Sequence, residues 1–258
     1  MLFLLTGEVQ IGKTRWLESL VAELYARGVP CAGVLAPGQW VPSAGERADA
    51  NGYEKLGIDN VLLPGDEHIP FARRGDLARA EGSFDEGSQA ARAELAWHIP
   101  DDAIARVNAH FAQLASHVSE QGAPVSSRAP EQLAVEPACR PEQSASASLC
   151  HPERNDVAPS CHPERSAEGA EPKDLPQAPS LLVVDELGRL EIWRGGGLTE
   201  AVALLAQGPT ATFPHALVVV RDYLLDDAEA LLAPAWPDLA RIAPDDEARA
   251  AVLAACGC

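Results

Sequence analysis

Aromatic residues are scarce in this 258-residue chain, at 5%, and it has a single methionine. Any core must therefore be built from small and branched aliphatic side chains rather than from rings. Basic residues are few as well: 20 Lys and Arg stand against 38 Asp and Glu, a formal charge of −18. A field of that sign repels nucleic-acid phosphates, so no nucleic-acid partner is expected. It leaves room for a local phosphate pocket, because amides at a helix N-terminus and one Lys suffice there. Long apolar runs are missing too. Met1–Leu5 is apolar, but Gly7, Glu8 and Lys13 interrupt it at once, and nothing of signal or membrane length follows. No membrane partner is expected, and a cytoplasmic location is the default. The six cysteines, at 31, 139, 150, 161, 256 and 258, do not resemble a secreted disulfide framework in a chain this long.

What is present falls into three segments. Residues 1–122 read as alternating strand and helix. Leu2–Thr6 is a short buried strand, and Trp16, Leu17, Leu20, Val21 and Leu24 then repeat at helical spacing up to Gly28. Cys31–Pro37 reads as a second strand. Tyr53–Ile58 and Val61–Leu63 flank Asp59-Asn60, which predicts a hairpin. Ser83–Asp85 offers helix-start chemistry, and Asp101-Asp102 precedes the helical pattern of Ile104, Val107, Phe111 and Leu114.

Residues 123–179 change character. They contain no Phe, Tyr, Trp, Ile or Met and hold about half of the 21 prolines, a composition that cannot bury a core. Four similar units starting at Arg128, Cys139, Cys150 and Cys161 follow one another at a spacing of eleven residues. Such a period can mark a supercoiled helix, but a Pro in every unit forbids one. The segment reads as a disordered, proline-rich insertion grown by repetition. Its Cys150-His151 and Cys161-His162 pairs supply soft metal ligands, but their spacing fits no standard zinc finger.

Residues 180–258 return to α/β. Leu181–Val184, Ala216–Val220 and Leu239–Ile242 read as strands, and Leu198–Leu205, Leu224–Leu232 and Asp245–Ala255 as helices. Aliphatic strands alternating with helices predict a three-layer α/β domain around a mostly parallel sheet.

Two segments carry chemistry. Gly7-Glu8-Val9-Gln10-Ile11-Gly12-Lys13-Thr14 matches the phosphate-binding pattern G-x-x-x-x-G-K-[ST] in full, between a buried strand and an amphipathic helix. The glycines let successive N–H groups curl around one phosphate. Lys13 reaches the β- and γ-phosphates, and the Thr14 hydroxyl is a hard oxygen ligand for Mg²⁺. The second segment, Leu181-Leu-Val-Val-Asp185-Glu186, ends an aliphatic strand in two carboxylates at the sheet edge where open α/β folds bind ligands. Asp185 is the second candidate Mg²⁺ ligand, and Glu186 the candidate base for an attacking water. Arg221, directly after the third aliphatic strand, could reach a γ-phosphate or form a structural ion pair. Arg47 and Arg73 are weaker candidates for the cleft wall.

With Val183-Val-Asp-Glu-Leu-Gly-Arg-Leu-Glu191 beside the N-terminal loop, the chain resembles the small nucleoside-triphosphatase family of P-loop proteins. Gly33-Val34, Arg47 with Gly52-Tyr53, Ala72-Arg73 and Arg221 agree with that family in order. The resemblance covers residues 1–122 and 180–258 and leaves the repeat outside. It implies Mg²⁺-dependent hydrolysis of nucleoside triphosphates such as ATP or GTP, with loose base preference. Gln10 stands where the loop often has Gly, Arg15 where a second Thr is common, and Arg189 where Lys is usual. Two alternatives stay open on the residues alone. One is a kinase using the same cradle, which needs an acceptor pocket. The other is a nucleotide-dependent switch with negligible turnover.

Overall fold

The computed structural model describes residues 1–8, 11–122, 178 and 180–258, with no side-chain description for 119–122. The repeat and its Cys-His pairs lie outside the described residues, as do Val9 and Gln10. The first strand, β1 (Leu2–Leu5), shows how the layers form. Its four side chains are fully buried and alternate, Leu2 and Leu4 into one apolar cluster, Phe3 and Leu5 into another. A strand apolar on both faces must be covered on both.

Helix α1 (Lys13–Ala26) covers the second cluster with Leu17, Leu20, Val21 and Leu24, one face at i, i+3, i+4, i+7. Next come β2 (Cys31–Leu35), β3 (Gly38–Pro42), β4 (Tyr53–Leu63) and β5 (Glu67–Arg74). Short helices α2 (Gly75–Glu81) and α3 (Gln89–Arg92) precede β6 (Trp97–His98) and the long α4 (Asp101–Gly122). The C-terminal flank supplies β7 (Leu181–Leu187), α5 (Arg189–Arg194), α6 (Thr199–Leu205), β8 (His215–Val220), α7 (Leu225–Leu232), β9 (Leu239–Ile242) and α8 (Asp246–Ala255). From α4, Val107, Phe111 and Leu114 pack on the first face with residues of α6 and α7, while Val252 and Leu253 of α8 join α1 on the other.

The sheet runs β6-β5-β4-β2-β7-β8-β1-β9, with β3 pairing β4 off that path. The two flanks of the repeat interleave, since β7 of the C-terminal flank lies parallel to β2. The expectation of a mostly parallel sheet needs correction. Among the described residues β2, β7, β8, β1 and β9 are parallel, but β4 meets β2, β3 and β5 antiparallel, and β5 meets β6 antiparallel.

Two local expectations also fail. Asp59-Asn60 is no hairpin turn but the middle of β4. Asp59 accepts a hydrogen bond from Gln39 Nε2 at 2.6 Å, and its N–H donates to Pro37 O, so neighbours absorb this carboxylate within the strand. The turn comes instead between β4 and β5, where Asp66 has φ 59°. Ser83–Asp85 starts no helix. Gly82, at φ 72°, ends α2, and it is Ser88 that caps α3 by accepting from Ala91 N–H.

Candidate active site

The C-terminal edge of the parallel strands is where this topology brings loops together. The chain leaves β1 through Gly7 at φ 141° and enters α1 through Gly12 at φ 96°. That left-handed entry favours Gly, because a Cβ there is strained even though open space surrounds it. It sets Lys13 as the first residue of α1. The Lys13 ammonium donates to Gly7 O at 2.8 Å and Glu8 O at 2.9 Å, so it lies across the loop mouth. Burial lowers its pKa, with the Glu186 carboxylate pulling the other way.

Thr14, one residue on, faces β7. Its hydroxyl donates to Asp185 Oδ1 at 3.4 Å, and the other Asp185 oxygen accepts from Ala36 N–H at 3.0 Å. Asp185 is 3% exposed. Burial pushes its carboxyl up to about 6, against the pull of the Ala36 N–H. Between Asp185 and Leu187 the register with β8 slips, leaving Glu186 as the extra residue of a bulge. Bulges re-aim side chains. Here Glu186 Oε1 meets Arg221 Nε at 2.6 Å, Arg221 being the first residue past β8.

Gly7, Gly12, Lys13, Thr14, Glu186 and Arg221 line one cleft of about 470 Å³. Asp185 lies beside it, lining a smaller cavity of about 220 Å³ that shares Thr14, Glu186 and Arg221. Glu8 and Ile11 of the loop are exposed and line neither cavity. Arg47 does reach the cleft and is ion-paired with Asp76. The expectation for Arg73 fails: alternation along β5 turns it to Glu81, and Arg74 lines the cleft instead, held by Glu54 and Asp76. Arg189 donates to Glu94 O at 3.3 Å and lines the smaller cavity.

Sequence reasoning missed Lys55. This β4 lysine lines both cavities, with its ammonium 5.8 Å from the Trp40 ring and 5.6 Å from that of Trp97. Burial lowers its pKa, while Glu186 and Asp185 raise it. No sequence signal marks it, because Trp40 and Trp97 reach it from β3 and β6.

Buried strand, loop, helix and carboxylate-tipped strand together define an α/β domain with a candidate phosphate site at its sheet edge. No family model matches the chain, and no curated protein matches it. Among solved structures it is similar to the solution structure of a human cancer-related nucleoside triphosphatase, at 16% identity and a TM-score of 0.46, over 98% of this chain and 93% of that one. No residue assignment rests on so distant a likeness. No described helix is long and apolar enough to cross a membrane.

Proposed function

We propose that this protein hydrolyses nucleoside triphosphates to nucleoside diphosphates and orthophosphate in the presence of Mg²⁺. The observation that carries the reading is the Thr14–Asp185 contact at 3.4 Å, which joins the N-terminal loop to the carboxylate strand across 171 residues of sequence. A hydroxyl and a carboxylate so placed are a hard oxygen pair. Among the described residues no cage of three or more His, Cys, Asp or Glu gathers for a metal. Two protein oxygens completed by substrate phosphates is the arrangement Mg²⁺ commonly takes, so the donor set fits it. When bound, the ion neutralises charge on the β- and γ-phosphates.

The chain's own groups divide the remaining work. The loop amides and Lys13 hold the phosphates, with Lys13 exchanging its carbonyl partners for phosphate oxygens. Glu186 accepts the proton of a water whose oxygen attacks the γ-phosphorus in line. The bond to the β–γ bridging oxygen breaks, and the diphosphate leaves. Arg221 supplies positive charge to the equatorial oxygens. Phosphate release by the full chain, with ATP, GTP, CTP and UTP in turn, tests this beside Lys13→Ala. The parent should turn over at least one of them, and the variant should lose both affinity and rate. Release no faster from the parent than from Lys13→Ala would sink the reading.

A further inference from the structure

The smaller cavity is larger than hydrolysis requires. Its volume of about 220 Å³ is far above the ~10–15 Å³ that a single water requires, whereas the reaction needs one water. Much of its lining is also unsuited to water. Phe71, Leu95, Trp97, Ile99, Ile104 and Leu190 form its apolar part, and Thr14, Asp185, Glu186 and Arg221 bring it to the phosphate site.

One polar atom in that lining is unsatisfied. Asn60 is 1% exposed, and its Oδ1 has no hydrogen-bond partner among the described residues. Buried amide oxygens are almost always paired, so this one calls for a donor. The neighbouring strand and loop groups do not supply it. Glu191, half-buried, spends its oxygens on Gly188 N–H at 2.8 Å and Leu198 N–H at 2.9 Å, which fixes the backbone around the cavity. The charged side chains of the lining balance, Lys55, Arg189 and Arg221 against Asp185, Glu186 and Glu191. A balanced lining with apolar walls gives an ionised ligand no net attraction and favours an uncharged one.

From this geometry we infer that the smaller cavity binds an uncharged molecule with a ring-sized apolar body, a hydrogen-bond donor for Asn60 and a hydroxyl facing Glu186, and that this hydroxyl competes with water for the γ-phosphoryl group. The inference rests on the proposed nucleotide site for its second half. In the transfer, the hydroxyl oxygen bonds to the γ-phosphorus and its proton passes to the Glu186 carboxylate. The bond to the β–γ bridging oxygen breaks, giving a phosphate monoester and a nucleoside diphosphate with no change in oxidation state.

The test uses the full chain with 4-hydroxybenzyl alcohol as probe and benzyl alcohol, which lacks the second donor, beside it. Binding is read by saturation-transfer NMR without nucleotide, and transfer by the label of γ-³²P-ATP. The expected result is binding of 4-hydroxybenzyl alcohol about tenfold tighter than benzyl alcohol, the scale of one buried hydrogen bond. Label should appear in an organic monoester as well as in orthophosphate. Ala96→Phe, which adds a ring at an exposed position of the cavity lining, should weaken probe binding while melting close to the parent. Asn60→Leu should erase the tenfold preference. Equal probe binding by parent and Ala96→Phe, or no binding at all, overturns the cavity assignment. Bound probe with label only in orthophosphate overturns the transfer step. If no ATP is turned over but the probe still binds as described, the hydrolase reading fails and the ligand site stands.

Discussion

Arg221 Nε lies 2.6 Å from Glu186 Oε1, and both side chains remain about one-third exposed. The candidate base is therefore held by the arginine proposed to serve the γ-phosphate. On the proposed mechanism an incoming triphosphate would compete for the guanidinium and so release the carboxylate for water. Glu186→Gln keeps the shape and one hydrogen bond to Arg221 but cannot take a proton. Affinity for a non-hydrolysable analogue should stay within a few fold, and kcat should fall by ~10²–10⁴. Steady-state rates beside analogue titrations check this; a variant as fast as the parent removes Glu186 from the role.

Lys55 should matter for rate more than for binding of the diphosphate. Its ammonium is caught between Trp40 and Trp97 and is influenced by both Asp185 and Glu186, at the junction of the two cavities. Lys55→Met keeps the unbranched stem between the rings and deletes the charge. We expect kcat to drop by about 10², the scale of one lost transition-state contact, with ADP affinity little changed. Comparable losses of ADP and triphosphate affinity at constant kcat would place Lys55 in ground-state binding instead.

The parts legible in the sequence are those whose signal is local. The loop between β1 and α1 could be read because strand, glycines, Lys13 and helix follow one another directly. The strand β9 begins and ends at the expected Leu239 and Ile242, since both flanks carry breaker residues. The antiparallel half was hidden for physical reasons. Pro70 disqualifies β5 as a strand by pattern, yet it sits at the register shift opposite Asp59, where regular pairing is interrupted. The strand β3 is short, ends in Pro42 and is half-exposed, so it shows no clean alternation. The direction in which Arg73 and Arg74 point depends on β5, which the sequence pattern did not reveal. Lys55 needed three strands to be placed at once.

Gly33 should tolerate no side chain. It lies in β2 at φ 120°, and a Cβ built on it would meet Val183 O at 2.0 Å, on the strand whose tip carries Asp185 and Glu186. Neither backbone can yield without breaking the β2–β7 pairing. Gly33→Ala should cost about 3 kcal/mol or more, the upper range for single substitutions, with the site lost alongside. Urea unfolding of the full chain measures it. A midpoint like that of the parent would mean that the two strands can separate to make room.

The same residue links to a pH effect. His110 of α4 reaches across to Gly33 O with Nε2 at 3.1 Å. Burial lowers its pKa, and the carbonyls of Gly33 and Leu63 and the Glu67 carboxylate only partly oppose that. The folded protein therefore prefers the neutral ring, with the Nε2–H tautomer donating to the carbonyl. In the unfolded chain the ring titrates near ~6.5. Above that value both states are neutral and the full stability is present. As pH falls below it, the unfolded chain takes up the proton first, and stability is lost until the depressed folded pKa is passed. His110→Gln keeps a donor for Gly33 O but cannot titrate. Melting curves of the full chain from pH 7.5 to 5.0 should fall less steeply for the variant than for the parent, with the two differing least at the alkaline end. Parallel curves over that range would show that His110 binds protons equally in the folded and the unfolded protein, so that burial does not shift its titration.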